Sequence, residues 1–173
     1  SNGSGVERHL SAFVYHEWVL GPPRDGERRH VVTECESATG TVLAWNAYNG
    51  EFPGRVAFAQ ASEPVSSLSG DRCAFIGRNG ALADPAALRT EALNGECGAG
   101  LDACAAMQIR IDLRPGETKQ IVFLLGEGAD RAHARTLIAR HGDVRRAREA
   151  LEAVRTFWNN TLDTIRVRTP DDS

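Results

Sequence analysis

Apolar and polar residues alternate along the first two thirds of the chain, which is the pattern of β-strands that lay one face on a core. Strand candidates lie at 9–20, 30–35, 41–45 and 55–61. In the first of them Leu10 and Val14 share one face. The other face carries Phe13 and Tyr15 among polar residues, so we expect it to be partly covered too.

A β-hairpin is predicted at 107–125. Met107, Ile109 and Ile111 alternate with polar residues, as expected for a strand with one face on a core. The following residues 114–117 place Pro and then Gly at the centre of a type II turn. Residues 119–125 then return as the second strand of the predicted pair.

Near residue 129 the spacing of apolar residues changes from every second residue to every third or fourth residue. Asp130 is a candidate N-cap of a helix that ends at His141, with Gly142 as its stop. Asp143 is a candidate cap for a second, longer helix. Its apolar positions are Val144, Ala147, Leu151, Val154, Trp158 and Leu162. A short extended segment is expected at 165–168.

A run of strands followed by a run of helices predicts a mainly β fold, namely a large antiparallel β-sandwich with an α-helical linker. In a fold of βαβ units, strands and helices would alternate along the chain. Residues 62–100 are rich in small and polar residues and are interpreted as long loops. Loops longer than about a dozen residues in a compact domain are usually functional or disordered.

Charge and cysteine content narrow the class of protein. The net charge of −3 gives no reason to expect a nucleic-acid partner, and we see no apolar run long enough to span a membrane. The cysteines are Cys35, Cys73, Cys97 and Cys104. Because no pair has a familiar zinc spacing, we expect reduced thiols of a cytoplasmic protein and no metal site.

Catalytic motifs are not evident in this sequence. It contains no G-x-S-x-G elbow, no Walker loop and no H-E-x-x-H pair, and its histidines are widely spaced. Acidic residues are plentiful, but a sequence cannot place two of them across a glycosidic bond. We therefore assign no catalytic residue and no cofactor.

A set of motifs in fixed order carries a family resemblance. They are YHEWVLG at 15–21, NAYNGEFPGRVAF at 46–58, GDRCAFIGRNG at 70–80, GAGLDAC at 98–104 and LRPGE at 113–117. Together they resemble glycoside hydrolase family 94, formerly glycosyltransferase family 36, which includes cellobiose phosphorylases and cyclic β-1,2-glucan synthases. The resemblance covers nearly the whole chain.

The resemblance implies a specific domain organisation. Residues 1–128 would be the N-terminal β-sandwich domain, 129–163 a two-helix linker, and 164–173 the start of the connection to an (α/α)6 catalytic barrel. In this family inorganic phosphate attacks the sugar while an Asp of the barrel protonates the leaving oxygen. We expect this chain to lack those groups and to be inactive alone. The parent would act on a β-linked glucan or oligosaccharide, in the cytoplasm or as the cytoplasmic part of a membrane-associated bacterial synthase.

The resemblance also suggests where the sandwich could contribute to a site. A loop of this domain can reach a barrel active site, in some members that of the partner in a homodimer. The candidates are Asp71, Arg72, Arg78 and Asn79, because a guanidinium fork suits hydroxyls and phosphate. The alternative is that an arginine forms a structural salt bridge with Asp71 or Asp102.

Two other functions stay open on sequence grounds. A stand-alone carbohydrate-binding module would stack sugar rings on exposed aromatic side chains, for which Trp45 and Tyr48 are the candidates, near Phe52. Large aromatic residues are mostly buried, which favours Trp45 and Phe52 as core residues. The other function is that of a purely structural dimerisation domain.

Overall fold

A computed structural model describes residues 1–21 and 28–164, so the predicted segment at 165–168 lies outside the described residues. The strands are β1 (Arg8–Glu17), β2 (Val31–Glu36), β3 (Thr41–Asn46), β4 (Val56–Ala61), β5 (Ser67–Asp71), β6 (Ala103–Leu113) and β7 (Phe123–Gly128). The helices are α1 (Arg72–Ile76), α2 (Arg131–His141) and α3 (Val144–Leu162).

Two antiparallel sheets face each other across the core. One has the strand order β1-β6-β5 and the other β2-β3-β4-β7. Alternate side chains of both sheets meet between them, as the period-two pattern predicts. The buried residues of this inner layer are Trp18, Val31, Val42, Ala44, Ala57, Ala59, Leu68, Ala103, Ala105 and Met107. The mainly β sandwich predicted from the sequence is confirmed.

Both sheets are also covered on their outer faces. Leu43 and Phe58 point away from the inner layer and pack against Ala134 of α2. On the other sheet Phe13 and Tyr15 pack against Phe75 of α1, which explains the apolar residues on the second face of β1. The sandwich therefore has four layers, with a helix outside each sheet.

Helix α2 approaches β7 at a glycine. A Cβ on Gly128 would lie 2.8 Å from the Cα of Ala134, closer than two unbonded carbon atoms come. The helix begins at its predicted cap, where the Asp130 carboxylate accepts a hydrogen bond of 2.7 Å from the His133 amide. The caps predicted for both helices are confirmed, since Asp143 likewise accepts from the Arg146 amide.

The predicted hairpin at 107–125 is wrong. Strand β6 pairs with β1 and β5, whereas β7 pairs with β4 in the opposite sheet. A turn does form, with Gly116 at a φ of 78°, but residues 114–122 then cross between the sheets. The alternation of apolar and polar residues shows that each strand has a face on the core. It does not show whether the second strand pairs with the first in the same sheet or lies in the opposite sheet.

Residues 62–100 contain more regular structure than the predicted loops, namely β5 and α1. Residues 95–98 run between the edge strands of the two sheets. Gly95 N donates to Leu68 O at 2.9 Å on one side, and Thr33 N donates to Gly98 O at 3.1 Å on the other. This segment, which we call the bridging segment, connects β5 to β2.

A disulfide joins Cys35 of β2 to Cys97 of the bridging segment, with Cα atoms 5.8 Å apart. The expectation of four reduced thiols is therefore wrong for this pair. Cys73 is an exposed free thiol and Cys104 a buried one. The two bonded residues are 62 positions apart in sequence, so no local spacing motif could have revealed them.

Candidate functional site at one end of the sandwich

Four of the sequence motifs meet at one end of the sandwich. In the three-stranded sheet, β1 ends at Glu17 beside the start of β6, and β5 ends at Asp71 beside Ala103. In the other sheet, β3 ends at Asn46 close to the start of β4 at Val56. Antiparallel pairing brings the strand ends together within each sheet. The chain after β1 links the two sheets at this end, because Asn46 Nδ2 donates to Leu20 O at 2.8 Å.

Arg72 lies at the centre of an ion-pair network at this end. Its Nε donates to Glu17 Oε1 at 2.8 Å, and its Nη1 lies 3.4 Å from Asp102 Oδ2. The Tyr15 hydroxyl donates to the same Glu17 oxygen at 2.7 Å. The hydrogen bond to Glu17 raises the pKa of Arg72. The structural salt bridge to Asp102, the alternative given by the sequence, is thus present in the structure.

Asp71 has a local structural role as the N-cap of α1. Its carboxylate accepts a hydrogen bond of 2.9 Å from the Cys73 amide. This contact satisfies an amide that the helix leaves without an intrahelical partner. The side chain is partly buried at the end of β5.

Arg78 and Asn79 lie exposed in the turn after α1. Gly77 ends the helix with φ of 94°, a conformation that favours glycine. A Cβ on Gly80 would collide with the carbonyl oxygen of Ile76. The two glycines thus permit a tight turn in which both polar side chains are exposed to solvent.

The two aromatic candidates have different environments. Trp45 is partly buried on the outer face of its sheet. The Arg131 guanidinium lies 5.4 Å from the centre of its ring and pairs with Glu34 at 2.5 and 2.7 Å. Tyr48 is 75% exposed, and its ring centre is 4.6 Å from that of His30. Of these two candidates, Trp45 is therefore held beneath α2, and Tyr48 is the more exposed ring.

A cleft that the sequence did not reveal lies at the same end. It has a volume of about 430 Å³ and is lined by Val19, Leu20, Gly21, Asn46, Asn49, Glu51, Phe52, Arg55, Ala57 and Glu127. Phe52 is 50% exposed, so its interpretation as a core residue is wrong. The residue that could have indicated this exposure in the sequence is Asn49. Its side-chain oxygen accepts hydrogen bonds of 3.1 Å from the amides of Glu51 and Phe52, and this turn directs the loop outward.

Within the described ranges, no group of three His, Cys, Asp or Glu residues lies close enough together to hold a metal ion. Among the helices of residues 1–21 and 28–164, none has the length and apolar character to cross a membrane.

The fold is a large antiparallel sandwich, and four of its motifs lie at one end. The family model described as the glycosyl hydrolase 94 supersandwich domain matches residues 1–144. The chain belongs to this family, as the resemblance of its motifs implied.

Two curated relatives match 98% of the chain. The cyclic beta-(1,2)-glucan synthase NdvB of Rhizobium meliloti (strain 1021) is 33% identical over 172 residues, and the match covers 6% of that protein. The N,N'-diacetylchitobiose phosphorylase of Vibrio furnissii is 24% identical over 175 residues, 22% of its length. The chain thus spans less than a quarter of either relative.

Proposed function

We propose that this chain is the non-catalytic sandwich and linker of an inverting glycoside phosphorylase or β-1,2-glucan synthase. In this proposal it supports the catalytic domain and lends an exposed loop to the active site or to a dimer interface. The longer protein would use a β-linked glucan and inorganic phosphate on the cytoplasmic side of the cell. Membership of the family and the short span of the chain within its relatives support this role.

The apolar face of α3 is the observation that carries the proposal. The start of the helix is anchored, because Arg148 donates to the side-chain oxygen of Gln120. From residue 151 onward every described residue of the helix is exposed. The large apolar side chains among them are Leu151, Val154, Phe157, Trp158 and Leu162, each exposed by 49–67%.

An amphipathic helix needs a partner for its apolar face. Full burial of a large apolar side chain stabilises by about 1.5–3 kcal/mol. Because each of the five side chains is about half exposed, docking would gain about half of this free energy for each, or roughly 4–7 kcal/mol in total. This is enough to hold a helix against a second domain, and we propose the catalytic domain as that partner.

The turn with Arg78 and Asn79 is the proposed second contact. No ion pair or hydrogen bond of the Arg78 side chain is found within the described residues, and both side chains are exposed. Arg72 and Asp71 would instead hold the turn in place through their contacts with Glu17 and the Cys73 amide. An arginine presented in this way suits a sugar hydroxyl, a carboxylate or phosphate.

The first test is an activity assay on the isolated chain and on the longer parent. Each is incubated with inorganic phosphate and β-1,2- or β-1,4-linked gluco-oligosaccharides, and release of sugar phosphate is measured. We expect turnover by a phosphorylase parent and none by the chain alone. Turnover by the isolated chain would overturn the non-catalytic assignment.

The second test places substitutions on α3 in the intact parent. Leu151→Gln with Trp158→Gln polarises the apolar face, whereas Glu152→Gln, on the polar side of the same helix, is the matched control. We expect the double variant to lower the parent's midpoint of thermal unfolding and its activity, and the control to change neither. Equal behaviour of the two variants would contradict docking through this face.

A further inference from the structure

We propose that the cleft formed by Asn49, Glu51, Phe52, Arg55 and Glu127 binds a neutral sugar ring at the end of an oligosaccharide. This site is separate from the turn at Arg78 and from the apolar face of α3, so it does not depend on the function proposed above. Its volume of about 430 Å³ falls within the range of small-molecule sites, about 300–1,000 Å³.

An aromatic face and a fixed cation form one wall of the cleft. The Phe52 ring is half-exposed, and the Arg55 guanidinium lies 5.8 Å from its centre. Arg55 is held from the other side by Glu127, with Nη1 3.0 Å from the carboxylate oxygen. A sugar presents C–H bonds on its ring faces and hydroxyls at its edge. Phe52 can therefore pack on a ring face while Arg55 donates to a hydroxyl.

The polar groups around Phe52 match the edge of such a ring. Glu51 and Glu127 offer acceptors, and Arg55 and the Asn49 amide offer donors. Vicinal hydroxyls both donate and accept, so they can use groups of both kinds. The lining contains one cation against two carboxylates, which disfavours phosphate and other anions and favours a neutral polyol.

The loop that carries these groups is already ordered by its own side chains. Asn49 Oδ1 accepts from the backbone amides of Glu51 and Phe52. Asn46, which also lines the cleft, accepts from the Tyr48 amide at 2.9 Å and donates to Leu20 O at 2.8 Å. A loop fixed before binding has less conformational entropy to lose when a ligand binds.

The test is a calorimetric titration of the whole chain with β-1,2- and β-1,4-linked glucose disaccharides and trisaccharides, with inorganic phosphate titrated in parallel. We expect saturable binding of at least one sugar and none of phosphate. Phe52→Ala should weaken sugar binding about tenfold or more, because the ring face is lost. Glu51→Gln, which keeps the shape of the side chain, should weaken it by a smaller factor.

Tyr48→Ala separates this cleft from sugar stacking on the neighbouring exposed ring, because Tyr48 lies in the same loop but does not line the cleft. Its sugar affinity should equal that of the unmodified chain, and circular dichroism should show all variants folded. The proposal is overturned if no sugar binds at millimolar concentration. It is also overturned if phosphate binds instead, or if Tyr48→Ala weakens binding while Phe52→Ala does not.

Discussion

Reduction of the disulfide between Cys35 and Cys97 should destabilise the sandwich by an amount that follows from chain length. The bond closes a loop over a sequence separation of 62 residues. Constraint of the unfolded chain contributes about 3 kcal/mol for a 15-residue loop and about 4.7 kcal/mol for 100 residues. For this bond we therefore expect about 4 kcal/mol, a fall in unfolding temperature of roughly 8–16 °C for a domain of this size.

The assay is urea and thermal unfolding with and without reductant, on the unmodified chain and on Cys97→Ser. Alkylation followed by intact-mass measurement counts the free thiols. In the denatured chain we expect two before reduction, on Cys73 and the buried Cys104, and four after it. Cys73→Ser is the control, because that thiol is exposed and unbonded, and it should leave stability unchanged.

The result that would refute this reasoning is equal stability of the unmodified chain and Cys97→Ser in the absence of reductant. Alkylation of all four thiols without prior reduction would refute it independently. Either outcome would leave the bridging segment held by its hydrogen bonds to Leu68 and Thr33. The reduced thiols expected of a cytoplasmic protein would then be restored.

Three further predictions concern the packing and charge of α2. Gly128→Ala should lower the free energy of unfolding by about 1–3 kcal/mol in urea denaturation, because the new Cβ lies 2.8 Å from the Cα of Ala134. The control is Gly50→Ala, which has open space around it. It should change the free energy of unfolding by less than about 0.5 kcal/mol. Phe58→Ala should cost about 3–5 kcal/mol, since the ring is 2% exposed beneath this helix; a loss under about 1 kcal/mol would contradict that packing. Arg131 lowers the pKa of Glu34 below its usual 4.5, so the contribution of the pair is present above pH 4.5 and lost as the pH falls through the lowered value. Because both side chains are over one-third exposed, the unmodified chain should be more stable than Glu34→Gln by less than about 1 kcal/mol at neutral pH. This difference should shrink in acid.

Local signals in the sequence predicted most of the elements. Caps such as Asp130 and Asp143 act on amides three residues away, so short-range patterns were sufficient to place both long helices. Alternation located most of the strands for the same reason, but it missed β5, which lies in the region interpreted as loops. It could not decide sheet membership, because that depends on the distant strands with which β6 and β7 pair.

The candidate site depends on contacts between residues far apart in sequence. Arg72 and Glu17 are 55 positions apart, and no pattern near either residue specifies the pair. The motifs that carry the family resemblance contain both, but their order along the chain does not show which side chains meet. Phe52 was misjudged because hydrophobicity alone favours burial, whereas the capping of its loop by Asn49 turns the ring outward.

The bridging segment also bears on self-association. Strands β2 and β5 are edge strands of their sheets, and unpaired edges are templates for pairing with other molecules. The segment donates to β5 through Gly95 and accepts from β2 through the carbonyl of Gly98, so part of the hydrogen-bonding capacity of both edges is satisfied within the molecule. Loosening of this segment would expose two adjacent edges at once, and aggregation through strand pairing is the expected result.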